Sequence, residues 1–166
     1  GVRVAHEEGL RVWIYDEEGY PSGAAGGRVL EQAPSAEAQG LIRTADETGT
    51  VRYQVITLYE ATHATENFYK KRHYINILDP LATKTFIKVT HERYAPVLDP
   101  IDPYVEAFFT DEPSLINAYV PNDREYPKTL PWHPRVPEEF LRRKGYDLLP
   151  HRESLFLDTG PIDRKI

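Results

Sequence analysis

The chain has no cysteine and no methionine. Without cysteine, a disulfide framework and a thiolate zinc site are both excluded. No apolar run approaches the roughly 18–20 residues of a membrane-spanning helix, so no membrane partner is expected. Lysine and arginine never gather into a run, and acidic residues outnumber basic ones 26 to 20, for a formal net charge of −6. That balance leaves no nucleic-acid footprint and disfavours a polyanionic substrate. The first residues, GVRVAHEEG, carry neither a start methionine nor a signal-peptide pattern. They read as the last turns of a helix already under way, closed by Gly9. With methionine missing throughout, the chain is expected to be an excerpt of a longer protein. A secreted or periplasmic location is compatible with that, because a leader peptide would not be visible.

What is present suits one globular domain: 166 residues, 40% hydrophobic and 28% charged. Residues 10–15 (LRVWIY) have a buried-strand pattern, stop at Asp16-Glu17-Glu18, and open into the glycine-rich run 19–27 (GYPSGAAGG). Residues 41–46 and 51–58 read as two strands of an antiparallel hairpin around Glu47-Thr48-Gly49. Residues 59–73 show no period. Residues 74–78 (YINIL) form another strand candidate. Asp79-Pro80 then starts a helix, with Asp as cap and Pro at the first position. Ala82, Thr85, Phe86, Val89 and Arg93 share one face of it, and it should end near Tyr94, before Pro96. Residues 104–109 (YVEAFF) form a third strand, again ending in acids at Thr110-Asp111-Glu112-Pro113. A long proline-rich loop follows. A helix is predicted over 137–144, acids first and bases last, closed by Gly145.

Strands alternating with helices predict parallel βα units. The expected fold is α/β: residues 1–166 as the partial catalytic domain of a (β/α)8 TIM-type barrel, with a small β-hairpin excursion at about 41–58. A closed barrel needs roughly 250 residues, so the remainder of the parent chain would have to complete it.

Two strands end in carboxylates that lead into long loops, and the C-terminal strand ends form the active face of such a barrel. Glycoside hydrolysis is the chemistry that most needs facing carboxylates: one protonates the leaving oxygen, the other attacks or activates water. Strand alternation points Asp111 and Glu112 to opposite faces, and likewise Asp16 and Glu17. Either pair also suits a plain structural role, capping a helix or meeting an arginine. Trp132 is a candidate for stacking on a sugar ring, with core or loop packing as the alternative; Tyr15 and Tyr20 flank the first acidic cluster as candidate pocket-lining, substrate-binding aromatics, with buried packing as the alternative for Tyr15. His91-Glu92 is not a metal motif, since HExxH needs histidine at position 95 and Ala95 stands there. Packing near a helix end is the expected role of His91. Ser22 lies in PSGAAGG, outside any GxSxG elbow. Gly23, Gly26 and Gly27 do not fit GxGxxG, and only Arg28 is a nearby cation, which argues against phosphate binding.

Residues 12–27 (VWIYDEEGYPSGAAGG) resemble the WxYDExGxPSGxAGG segment of large bacterial glycoside hydrolases of the α-L-rhamnosidase type, glycoside hydrolase family 106 and relatives. Residues 78–83 with Phe86 and residues 90–94 (THERY) resemble the helix region that follows in them. Residues 108–113 (FFTDEP) resemble their next strand end, and Trp132 with residues 145–148 (GYDL) the segment beyond. The likeness is weakest over residues 28–73. It implies a TIM-type barrel and hydrolysis of a glycosidic bond in plant-type or other complex glycans, α-L-rhamnosides included. By position it makes Glu112, beside Asp111, a general-acid candidate, expected to be partly buried. It gives Asp16 and Glu17 to sugar hydroxyls or to support of the acid. No second catalytic carboxylate is carried over with it. Calcium accompanies some such enzymes, but no calcium loop is visible, so neither a cofactor nor a metal site is expected. The expected partner is an oligosaccharide or glycoside. The rival functions are a non-catalytic carbohydrate-binding barrel and a phosphosugar enzyme using the glycine-rich loop.

Overall fold

A computed structural model describes residues 1–16, 18–57, 73–96, 102–115 and 128–157. Helix α1 (Val2–Glu7) leads through Gly9, at φ 74, into strand β1 (Val12–Tyr15). Strand β4 (Val105–Phe109) lies beside β1 in parallel, with Trp13 opposite Ala107 and Tyr15 opposite Phe109. A parallel register puts both C-terminal ends at the same edge. The backbone N–H of Asp16 continues the pairing by donating to the Phe109 carbonyl at 3.2 Å. The two acidic strand ends, far apart in sequence, become neighbours for this reason.

One core packs beside this pair. Helix α2 (Arg28–Gln32) and helix α3 (Pro80–Val89) bury Val29, Ala82, Phe86 and Val89 together with Tyr74 and Ile75. Complete burial of a side chain such as Val29 contributes about 1.5–3 kcal/mol. Asp79 caps α3 by accepting from the Leu81 N–H at 2.9 Å, with Pro80 at the first helical position. The apolar face is the one expected over Ala82, Thr85, Phe86 and Val89. Arg93 leaves that face. Thr90 departs from helical geometry (φ −114, ψ −80), and a 3-10 turn, His91–Arg93, carries Arg93 to the surface.

A second core forms on an antiparallel sheet in the order β3-β2-β5. Strands β2 (Gln39–Ala45) and β3 (Val51–Thr57) make the hairpin, and Asp46 closes its turn by accepting from the N–H groups of Thr48 and Thr50. Strand β5 (Thr129–Trp132) pairs with the free side of β2. Leu41, Trp132, Leu148 and Phe156 pack together there. Helix α4 (Val136–Lys144) runs with Glu138 and Glu139 first and Arg142, Arg143 and Lys144 last, and ends at Gly145 with φ 81. The side-chain amide of Asn76 ties the cores together by donating to the Trp132 carbonyl at 2.7 Å.

The barrel expectation is overturned. The parallel component is a two-stranded pair, and the other described strands form a separate antiparallel sheet. A barrel strand needs a neighbour on each side, yet among the described strands β1 pairs with β4 alone. Two local misreadings supported the βα rhythm. Residues 74–78 are mostly apolar and Tyr74, Ile75 and Asn76 are buried, but among the described residues they make a single bridge, Glu37 to Ile75. Burial there comes from helix packing, and an apolar run cannot distinguish that from a ladder. The proline-rich stretch contains a strand, β5, at the edge of its sheet, where Pro131 costs no ladder donor. That third strand makes the hairpin part of a sheet with its own core, where an excursion was expected.

Candidate active site

Asp16 sits at the end of β1 with its side chain 1% exposed. Both carboxylate oxygens are engaged. Oδ1 accepts from the Ser22 hydroxyl at 2.9 Å. Oδ2 accepts from the Thr110 hydroxyl at 2.6 Å and faces His91 Nε2 at 3.2 Å. A buried carboxylate needs this satisfaction, because an unpaired charge away from water is strongly disfavoured. Asp16 thus joins β1, the glycine-rich loop, the end of β4 and the turn after α3.

The loop is locked to β4 a second time. Ser22 N–H donates to the Asp111 carbonyl at 2.9 Å, and Asp111 N–H donates to Ser22 Oγ at 2.8 Å. Tyr74 donates its hydroxyl proton to the Ser22 carbonyl at 2.6 Å and accepts from Ser114 N–H at 3.2 Å. Gly23 is required at this crossing: its φ is 134, and a Cβ there would stand 2.9 Å from the Tyr74 hydroxyl oxygen. Gly23 serves close packing, and the N–H groups of Ser22 and Gly27 already have backbone acceptors.

On this platform the other carboxylates reach outward. Asp111 Oδ2 accepts from the Tyr15 hydroxyl at 3.2 Å. Glu112 Oε2 accepts from the Tyr20 hydroxyl at 2.5 Å. The chain turns at Glu112 through the left-handed region, φ 40, and the side chain is exposed. The partial burial expected of Glu112 is therefore not found: no third strand or helix covers it among the described residues. A non-glycine residue held at positive φ costs about 1–3 kcal/mol, and such residues concentrate at functional sites. Beside Tyr15, a cleft of about 320 Å³ opens between Asp16, Glu18, Arg28, Arg93 and Tyr94. Asp111 and Glu112 stand outside its wall, and Tyr15 is shared by both places.

The structure thus brings Asp16, Tyr20, Asp111 and Glu112 to one edge. Glu17 lies outside the described residues. Trp132, read as a sugar-stacking candidate, is 7% exposed and packs in the second core with Leu41, Leu148 and Phe156. Sequence reasoning missed Ser22 and Thr110, and it gave His91 only a packing role. His91 does pack, at 5.1 Å from the Phe108 ring, but its Nε2 also meets Asp16. Thr110 is 94 residues from Asp16, a separation at which spacing carries no signal.

Among the described residues, no group of three His, Asp or Glu side chains is placed to hold a metal ion. Nor is any helix among them long and apolar enough to cross a membrane. Comparison with protein families, with curated proteins and with solved structures finds no match.

Proposed function

We propose that this chain carries the acidic site of a glycoside hydrolase acting on complex, plant-type glycans, α-L-rhamnosides among them. The supporting observation is the parallel register of β1 and β4, which sets Asp111 and Glu112 at one edge beside Tyr15 and Tyr20. Two carboxyl groups with aromatic neighbours suit a neutral polyhydroxylated ligand. Glu112 protonates the glycosidic oxygen through Oε1, while Tyr20 holds Oε2. Asp111, oriented by Tyr15, supports the developing positive charge on the sugar. Asp16 is a positioning residue: its oxygens are spent on Ser22, Thr110 and His91, and it fixes the strand ends that carry the other two acids.

The exposure of Glu112 favours a second reading, a carbohydrate-binding site without turnover. One experiment separates the two: hydrolysis of a panel of aryl glycosides, α-L-rhamnoside included, by the full chain and its Glu112→Gln variant. Turnover that falls roughly a hundredfold or more in the variant supports the general acid. Turnover untouched by the change removes Glu112 from the mechanism. Sugar binding without turnover moves the assignment to the binding site.

A further inference from the structure

The cleft beside Asp16 has a charge balance that the proposed acid chemistry does not use. Among the described residues, four charged side chains line it: Asp16, Glu18, Arg28 and Arg93. Asp16 is occupied by Ser22, Thr110 and His91. Glu18 is taken by Arg28 at 2.7 Å, and Arg28 also donates to the Ala25 carbonyl at 3.1 Å. Arg93 is left over. It is exposed and has no acidic partner among the described residues.

The position of Arg93 is held from both sides. It shares the 3-10 turn His91–Arg93 with the histidine that meets Asp16. The next residue, Tyr94, packs edge-on against Phe108 at 5.6 Å. Across the cleft, the Tyr15 ring lies 5.6 Å from Phe109. Two anchored aromatic side chains therefore line the cleft together with a guanidinium that has no acidic partner among the described residues, in a volume at the small end of ligand clefts.

We infer that this cleft takes the carboxylate of an acidic sugar, a uronic acid residue of the glycan, at Arg93, with the sugar ring between Tyr15 and Tyr94. The sugar part of this inference rests on the carbohydrate reading above; the carboxylate part rests on Arg93. A guanidinium fork matches a carboxylate in bidentate geometry. A phosphate dianion fits less well, because among the described residues of the cleft one cation lacks an acidic partner and Glu18 stands beside the other. The Tyr15 hydroxyl, which donates to Asp111, places a uronate held here next to the acidic pair. The enzyme then selects a linkage adjoining an acidic sugar. One bound carboxylate is also compatible with the net negative charge of the chain, which disfavours a polyanion.

The test is titration of the full chain with glucuronic acid, glucose and inorganic phosphate, followed by calorimetry or NMR shifts. Glucuronate should bind at least about tenfold more tightly than glucose, the worth of one charge-assisted hydrogen bond. Arg93→Gln should reduce glucuronate to the level of glucose, and Arg93→Lys should keep part of the preference. Raised salt should narrow the gap. Equal binding of the two sugars, binding of neither, a preference that survives Arg93→Gln, or phosphate binding more tightly than glucuronate each overturns the inference. Its failure is distinct from that of the hydrolase reading. A uronate preference with no turnover of any glycoside keeps the cleft and removes the hydrolase, whereas turnover with no preference does the reverse.

Discussion

Replacing Asp16 by alanine should unfold this chain far more readily than replacing any other acid at the site. Its side chain is 1% exposed, and three groups converge on it. Removal strands the hydroxyl proton of Ser22, a residue that is 0% exposed and has no route to water. That single stranded donor costs about 1–3 kcal/mol. Thr110 is exposed and His91 is 30% exposed, so water replaces part of what they lose. The stranded Ser22 donor and the loss of the other contacts, each hydrogen bond worth about 0.5–1.5 kcal/mol, put the expected loss for Asp16→Ala at about 2–4 kcal/mol. Asp16→Asn keeps one acceptor oxygen but turns an amide toward one of the three donors, so about 2 kcal/mol is expected. Urea unfolding followed by tryptophan fluorescence reads both losses, because Trp13 stands in β1 beside the cluster while Trp132 is buried in the second core. The midpoint should fall with an unchanged denaturant slope. A double-mutant cycle with His91→Gln should show coupling of about 0.5–3 kcal/mol. A loss below about 1 kcal/mol in Asp16→Ala, with no coupling to His91, refutes the view that Asp16 pins the strand ends together.

Other consequences are equally open to measurement. Gly23→Ala places a Cβ 2.9 Å from the Tyr74 hydroxyl oxygen and 3.2 Å from Ile75 Cδ1 at a φ of 134. It should destabilise by about 1–3 kcal/mol, and Tyr74→Phe should relieve none of the φ strain; a neutral Gly23→Ala in thermal unfolding refutes the close crossing. In the second core, Arg43 grips Glu153 with three hydrogen bonds at 2.7–3.1 Å, and Tyr53 donates to the same carboxylate. Those bonds, Arg43 first and Tyr53 next, hold the Glu153 carboxyl below its ordinary value. A depressed carboxyl contributes stability that is present above the ordinary value of about 4.3 and lost as pH falls through the folded one. Tyr53 is pushed up, by burial first and then by Glu153, so its contribution is lost as pH rises past about 10. Unfolding midpoints measured across pH should show both limbs, and Glu153→Gln should flatten the acid one; an unchanged acid limb counts against the Arg43–Glu153 fork.

Local chemistry determined much of this molecule. Asp79-Pro80 is a helix start wherever it occurs before an apolar period, and Gly9 and Gly145 end helices because positive φ is cheap only for glycine. The hairpin, read over 41–46 and 51–58 and found over 39–45 and 51–57, was legible because strand-like runs and a turn at Glu47-Thr48-Gly49 are both short-range signals. The acids ending β1 and β4 were legible too, since each closes an apolar run within its own few residues. What those signals do not contain is pairing. Nothing local distinguishes residues 74–78, which bury Tyr74, Ile75 and Asn76 without a strand ladder among the described residues, from a strand, or gives β5 to the edge of β2 in place of a loop. The barrel expectation failed on that point: strand type is local, but the identity of a strand's neighbour is settled by which apolar faces meet.

The site divides along the same line. Asp16, Asp111, Glu112 and Tyr20 were singled out from sequence because carboxylates and aromatics at strand ends are recognisable residue by residue. Their roles were not. Only the tertiary structure decided that Asp16 spends its oxygens on Ser22, Thr110 and His91 while Glu112 stands exposed. Only the tertiary structure took Trp132 into a core and set Arg93 in one cleft with Tyr15 and Tyr94, with no acidic partner among the described residues. Burial and charge partnership depend on contacts between residues distant along the chain. A sequence supplies the groups, and the packing decides which of them water, or a ligand, can still reach.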